Sequence, residues 1–163
     1  VGDTRLENVE PESAEVTETS AVIGEGRLLG QPAGLCLIDR NRVALFVVKR
    51  GGYLGWACTP EFADRAAVQA ILIPLESASV LDEAVRSGLY LGPIRHDDVH
   101  ASLLHVMRGA TRDGAVVPIR VSGKTAVVVI ADDLGDTMLA TRRLEELAHA
   151  AGEAFARIVR MRR

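Results

Sequence analysis

Three observations predict an α+β fold for this chain. Residues 115–132 hold two apolar, β-branched runs separated by Ser122-Gly123. Residues 43–59 hold a second such pair separated by Arg50-Gly51-Gly52. Helical periodicity lies between and after these pairs, interspersed with short single strands. Hairpins impose antiparallel pairing, so the predicted architecture is a central antiparallel sheet of five to six strands flanked by helices, with a long C-terminal helix.

The 115–132 hairpin organises the rest. Val127, Val128, Val129 and Ile130 are consecutive, which predicts a strand covered on both faces and hence central. Gly123 supplies the positive φ of a tight turn. In the other hairpin, residues 43–49 and 53–59 form the strands. Gly55 inside the second marks a bulge or a close backbone approach, and Pro60 ends it. Residues 62–67 read as a helical turn. Residues 69–75 read as a third strand whose Pro74 puts its end at an edge.

Ser79 is placed as an N-cap, with Asp82 three residues on, for a helix over 80–87 that Gly88 closes. Leu89-Tyr90-Leu91 forms a short strand before Gly92-Pro93. Asp97 or Asp98 caps a further helix running to about Arg108, with Val99, Leu103, Val106 and Met107 as its apolar stripe. Asp136 caps the last helix, over 137–160, in which Leu144, Leu147, Ala148, Ala151, Ala154, Phe155 and Ile158 follow helical spacing. Residues 35–38 are compatible with a short strand or with one turn of helix.

Residues 1–20 carry six carboxylates against one arginine and few apolar residues. They read as an acidic flexible tail or linker, leaving 21–163 as one domain. With 48% apolar residues the chain can fill a sizeable core, and a formal net charge of −3 gives no global basic footprint for nucleic acid. No apolar run is long enough to span a bilayer, and nothing at the start resembles a signal peptide. The two cysteines, Cys36 and Cys58, fit neither a disulfide framework nor a metal pattern, so the expected compartment is the cytoplasm.

The order of elements resembles that of a GAF domain, over about residues 42–161. The resemblance rests on Leu89-Tyr90-Leu91-Gly92-Pro93 between two helices, on Val117-Pro118-Ile119-Arg120-Val121-Ser122-Gly123-Lys124 leading into an apolar strand that ends in Asp132-Asp133, and on the closing helix. A long helix before Val43, usual in such domains, is not legible. The resemblance implies a sensory or regulatory module that binds a small molecule or a protein. The Asn-Lys-Phe-Asp-Glu signature of the cyclic-nucleotide subclass is absent, and neither cysteine is followed by histidine as the tetrapyrrole subclass requires. Cys36 and Cys58 also lie too far apart in sequence to match the clustered cysteines of the methionine-sulfoxide reductase subclass.

Three functional classes follow. The first is a non-catalytic regulatory or protein-interaction module of a bacterial signalling or envelope-machinery protein, with no cofactor. Its last helix would dock a partner or a second copy through Leu144, Leu147, Ala151, Phe155 and Ile158. The second is a small-molecule sensor with a pocket between the sheet and residues 60–95, lined by Trp56, Cys58, Ile73, Tyr90 and Leu91. The third is an enzyme, thiol-based at Cys58 or metal-based at His96 and His100. His96-Asp97-Asp98-Val99-His100 echoes a zinc-binding His-Glu-x-x-His helix. However, Pro93 and the capping aspartate put His96 before the helix, and His105 is turned away from His100. The segment therefore reads as a capped helix start with exposed histidines.

Overall fold

The computed structural model describes residues 42–108 and 113–161. The predicted tail and residues 21–41, Cys36 included, lie outside the described residues. The strands are β1 (Val43–Lys49), β2 (Gly52–Cys58), β3 (Leu72–Pro74), β4 (Tyr90–Pro93), β5 (Asp113–Val121) and β6 (Lys124–Ala131). The helices are α1 (Arg65–Gln69), α2 (Val80–Ser87), α3 (Ala101–Val106) and α4 (Thr137–Met161). All six strands join in one sheet in the order β3-β2-β1-β6-β5-β4, and every pairing is antiparallel.

The sheet closes around the β1–β6 pair, in which Leu45 faces Val129 and Phe46 faces Val128. This pairing unites the two hairpins. It also explains the uninterrupted apolar run of β6. Flanked by β1 and β5, β6 keeps Val127 through Ala131 buried on both faces. At its turn Ser122 and Gly123 both take positive φ (51° and 82°), the conformation of a two-residue hairpin whose twist suits the strands.

Alternation along the strands sorts side chains onto two faces. The inner face carries Ala44 and Phe46 of β1, Tyr53 of β2, Ile73 of β3, Val116 of β5, and Val128 and Ile130 of β6. Val68 of α1, Val80, Leu81 and Ala84 of α2, and Leu103 of α3 pack onto it in one continuous cluster with Phe62 and Ile94. On the other face α4 runs along β5 and buries Ala140, Leu144, Ala148 and Ala151. Gly152 is a point of close approach. A Cβ there would sit 2.4 Å from the carbonyl oxygen of Arg120, so the glycine that weakens helix propensity lets helix and strand meet.

Several elements differ in extent from the sequence reading: the helical turn expected over 62–67 is α1 at Arg65–Gln69, and the strand expected over 89–91 is β4 at Tyr90–Pro93, which takes in Gly92 and Pro93. The expected strand over 69–75 begins only at Leu72. The reason is that Asp64 caps α1 by accepting from the Ala67 N–H, and the N–H of Ile71 still bonds to Val68 O. The helix expected to run from Asp97 or Asp98 to Arg108 is shorter. Asp97 closes a separate turn by accepting from the His100 N–H. At the other end Met107 is extended, and the Arg108 N–H goes to Phe62 O at 2.7 Å. The second strand starts one residue early, at Gly52. Gly55 serves both readings offered for it: the β1–β2 register shifts beside it, and α1 lies against its Cα.

Candidate functional site

The inner face and the helices on it hold most of the buried polar chemistry. Tyr53, 1% exposed, donates its hydroxyl to Asp82 Oδ1 at 3.0 Å, and Asp82 in turn pairs with Arg86 one helical turn on. Burial first, and the neighbouring Asp82 carboxylate second, push the phenol far above its ordinary range. It therefore stays protonated and acts as a donor that ties β2 to α2.

The amino terminus of α2 is satisfied twice. Ser79 Oγ accepts from the Asp82 N–H at 3.1 Å, the capping geometry the sequence predicts. The Val80 N–H donates to His100 Nε2 at 3.0 Å, and the His100 Nδ1 lies 2.5 Å from Asp97 Oδ1. His100 is fully buried, which corrects the expectation of exposed histidines at this segment; His96 and His105 are exposed as expected. With Nε2 accepting, the proton of the ring sits on Nδ1 and is donated to Asp97. Among the described residues no group of three or more His, Cys, Asp or Glu side chains is arranged to hold a metal ion.

A second buried network joins the ends of β1 and β6. Arg42 Nε and Nη2 donate to the two oxygens of Asp132 at 2.7 and 2.9 Å, and Arg42 Nη1 donates to Glu61 O at 2.8 Å. The hydrogen bond to Asp132 raises the guanidinium further above its ordinary value, against the opposing effect of burial. The Asp132 N–H also bonds to Arg42 O at 3.1 Å, extending the ladder past the last β6 residue. Sequence reading found the aspartate at the end of the apolar run but not its partner. The available signal was a charge abutting each of two strands, Arg42 before Val43 and Asp132 after Ala131.

The residues predicted to line a pocket fall on separate strands. Ile73 is fully buried in β3. Trp56 and Cys58 are half-buried in β2. Tyr90 and Leu91 are in β4, with β1, β6 and β5 between them and β2. Cys58, Ile73 and Tyr90 touch the same inner core. Leu91 points to the other face, since it pairs with Ala115 while Tyr90 pairs with Val116. Tyr90 closes its own edge by donating to Pro93 O at 2.6 Å. Cys58 donates its thiol to Ala63 O at 3.3 Å, and burial pushes its pKa up, the opposite of what an activated thiolate requires.

Of the predicted interaction residues on α4, Leu144 and Ala151 are buried against the sheet, whereas Leu147, Phe155 and Ile158 are half-buried. Met138, Leu139, Val159 and Met161 are exposed on the same helix. Beside it a groove of about 390 Å³ runs between α4 and β5, floored by Val117, Pro118 and Ala148 and rimmed by Arg120, Glu145, His149 and Glu153. No helix among the described residues is long and apolar enough to cross a membrane.

The sequence matches no family model and no curated relative. Solved structures do share its fold. The cyanobacteriochrome receptor PixJ is 15% identical, covering 90% of this chain and 98% of its own, with a TM-score of 0.62. The GAF domain of a phosphoenolpyruvate-protein phosphotransferase from Coxiella burnetii is 14% identical over 89% of this chain and 92% of its own, with a TM-score of 0.58. The free methionine-R-sulfoxide reductase of Neisseria meningitidis, solved with its substrate, is 18% identical over 90% of this chain and 80% of its own, with a TM-score of 0.57. The six-stranded antiparallel sheet, the helices on one face and the long helix on the other make the fold of this chain that of a GAF domain.

Proposed function

We propose that this chain is a non-catalytic regulatory module that works by binding protein, within a bacterial signalling or envelope-machinery protein of the cytoplasm. The observation that carries this reading is the state of the inner face. Phe46, Tyr53, Phe62, Ile73, Leu81, Ile94 and Leu103 fill the space between sheet and helices and are each at most 1% exposed. Side chains of the protein itself occupy the region in which a sensor would hold its ligand. The protonated, hydrogen-bonded Cys58 thiol supports a non-catalytic role. The docking element in this reading is α4. Phe155 and Ile158 lie past the close approach at Gly152 and are half-buried, and Val159 and Met161 continue the apolar surface into solvent.

Light scattering against concentration tests self-association. A mass rising from 17.5 kDa towards twice that value, and held at the monomer by Phe155→Glu with Ile158→Glu, supports docking through α4. A monomer at all concentrations removes the second copy as its partner. A second reading, small-molecule sensing, draws on the neighbour solved with its substrate. Thermal melts with cyclic nucleotides, free methionine sulfoxide and divalent metals separate the two. Ligand at about 100 times its Kd adds roughly 2.7 kcal/mol to the stability of a sensor, a rise of several degrees in Tm, whereas the interaction module melts unchanged.

A further inference from the structure

We propose that His100 is an acid-sensitive latch that holds the first turn of α2 closed over the inner face of the sheet and releases it when the imidazole gains its second proton. Two elements meet at this ring. Nε2 accepts the Val80 N–H at 3.0 Å, and Nδ1 lies 2.5 Å from Asp97 Oδ1. The ring is fully buried, so no water stands in for the Val80 bond while the corner is closed, whereas Asp97 is partly exposed. The Val80 bond exists only while Nε2 is unprotonated. A proton on Nε2 would point at the Val80 N–H and add a positive charge at the positive end of the helix dipole.

The charged groups at this corner decide which bond breaks. From its own turn His100 faces Asp97, which Arg95 also approaches at 3.7 Å. On α2, Asp82 is engaged by Tyr53 and Arg86, and Glu83 is reached by Arg95 at 3.4 Å. His105 lies in the last turn of α3. Desolvation alone would raise the Asp97 carboxyl, but hydrogen bonds from the His100 ring and N–H hold it below its usual range. Asp97 therefore favours its ionised form and retains the ring when it becomes cationic, and the bond that gives way is the one to Val80. The Val80 N–H occupies the Nε2 lone pair, so a second proton on the ring and the closed corner exclude each other, and acidification favours release. Since α2 packs on β4, β5 and β6, release loosens the cover of the inner core.

Amide exchange of the whole chain at pH 7.5 and 5.0, corrected for intrinsic rates, tests the latch. The expected result is a loss of at least tenfold in protection at Val80 with Val128 of the central strand unchanged, and no such loss in His100→Gln, whose amide oxygen accepts without titrating. Unchanged Val80 protection, equal loss in His100→Gln, or simultaneous loss at Val128 overturns the proposal. If His100→Gln does not fold, nitrogen-15 shifts of the wild-type ring decide. Nε2 must be unprotonated at pH 7.5 and gain its proton in step with the loss at Val80; a ring protonated on Nε2 at pH 7.5, or a change at Val80 without protonation, overturns it.

Discussion

Replacing Asp132 with alanine is expected to destabilise the fold by about 3–5 kcal/mol. The carboxylate has no solvent exposure and receives two guanidinium hydrogen bonds. Its removal takes both carboxylate hydrogen bonds from Arg42, itself nearly buried, and leaves the Glu61 carbonyl and the charge of Asp133 to balance the guanidinium. The loss comes mostly from that poorly compensated charge and not from the attraction forgone, which yields a second expectation. Arg42→Met combined with Asp132→Leu costs much less than Asp132→Ala alone, because an apolar pair of similar volume avoids the desolvation penalty. Urea unfolding followed by the single tryptophan, Trp56, measures both. With an m-value of about 2 kcal/mol/M, the single variant should lower the midpoint by roughly 2 M. A double variant as unstable as the single would mean that the pair contributes through its geometry and not through its charge balance.

Gly55→Ala is expected to cost about 3 kcal/mol, the upper end for overpacking. An added Cβ would sit 1.9 Å from Val68 O and 2.8 Å from Val68 C. Both are backbone atoms of α1, so no rotamer change can relieve the contact. Nor can α1 move away freely, since Gly55 N–H bonds to Ile71 O at 2.9 Å and Gln69 Nε2 donates to Trp56 O at 3.0 Å. The φ of Gly55 is not in the positive region, so the whole cost is steric. Gly51→Ala is the control: nothing lies within 4 Å of its Cβ position, and its effect should stay within about 0.5 kcal/mol. Equal midpoints for the two variants in urea would contradict the packing of α1 on β2.

Much of the fold is legible because local chemistry and tertiary placement agree. The run Val127 to Ile130 reads as a central strand and is one. Ser79 and Gly88 read as the caps of α2 and serve as such, with Gly88 at a φ of 93°. Legibility ends where two segments remote in sequence must be known to touch. Residues 69–75 form an apolar run that periodicity alone cannot divide into a helix end and a three-residue strand. The tie that divides them is the bond from Gly55 to Ile71. His100 reads as a surface residue because its neighbours Asp97 and Asp98 are polar, whereas the group that buries it is a helix terminus 20 residues upstream. The lateral order of the strands is a third instance. Trp56 and Tyr90 are each recognisable as strand residues, but only the β1–β6 pairing places their strands in opposite halves of the sheet.

That pairing is the joint on which everything above depends, and interstrand nuclear Overhauser effects read it directly. Backbone contacts should connect residues 43–47 with 127–131 in the register that sets Leu45 opposite Val129 and Phe46 opposite Val128, at the Cα separations of about 4.5–5.5 Å of an antiparallel ladder. Strong contacts within each hairpin but none between these two segments would show two separate sheets, and would contradict both the fold and the roles assigned to its faces.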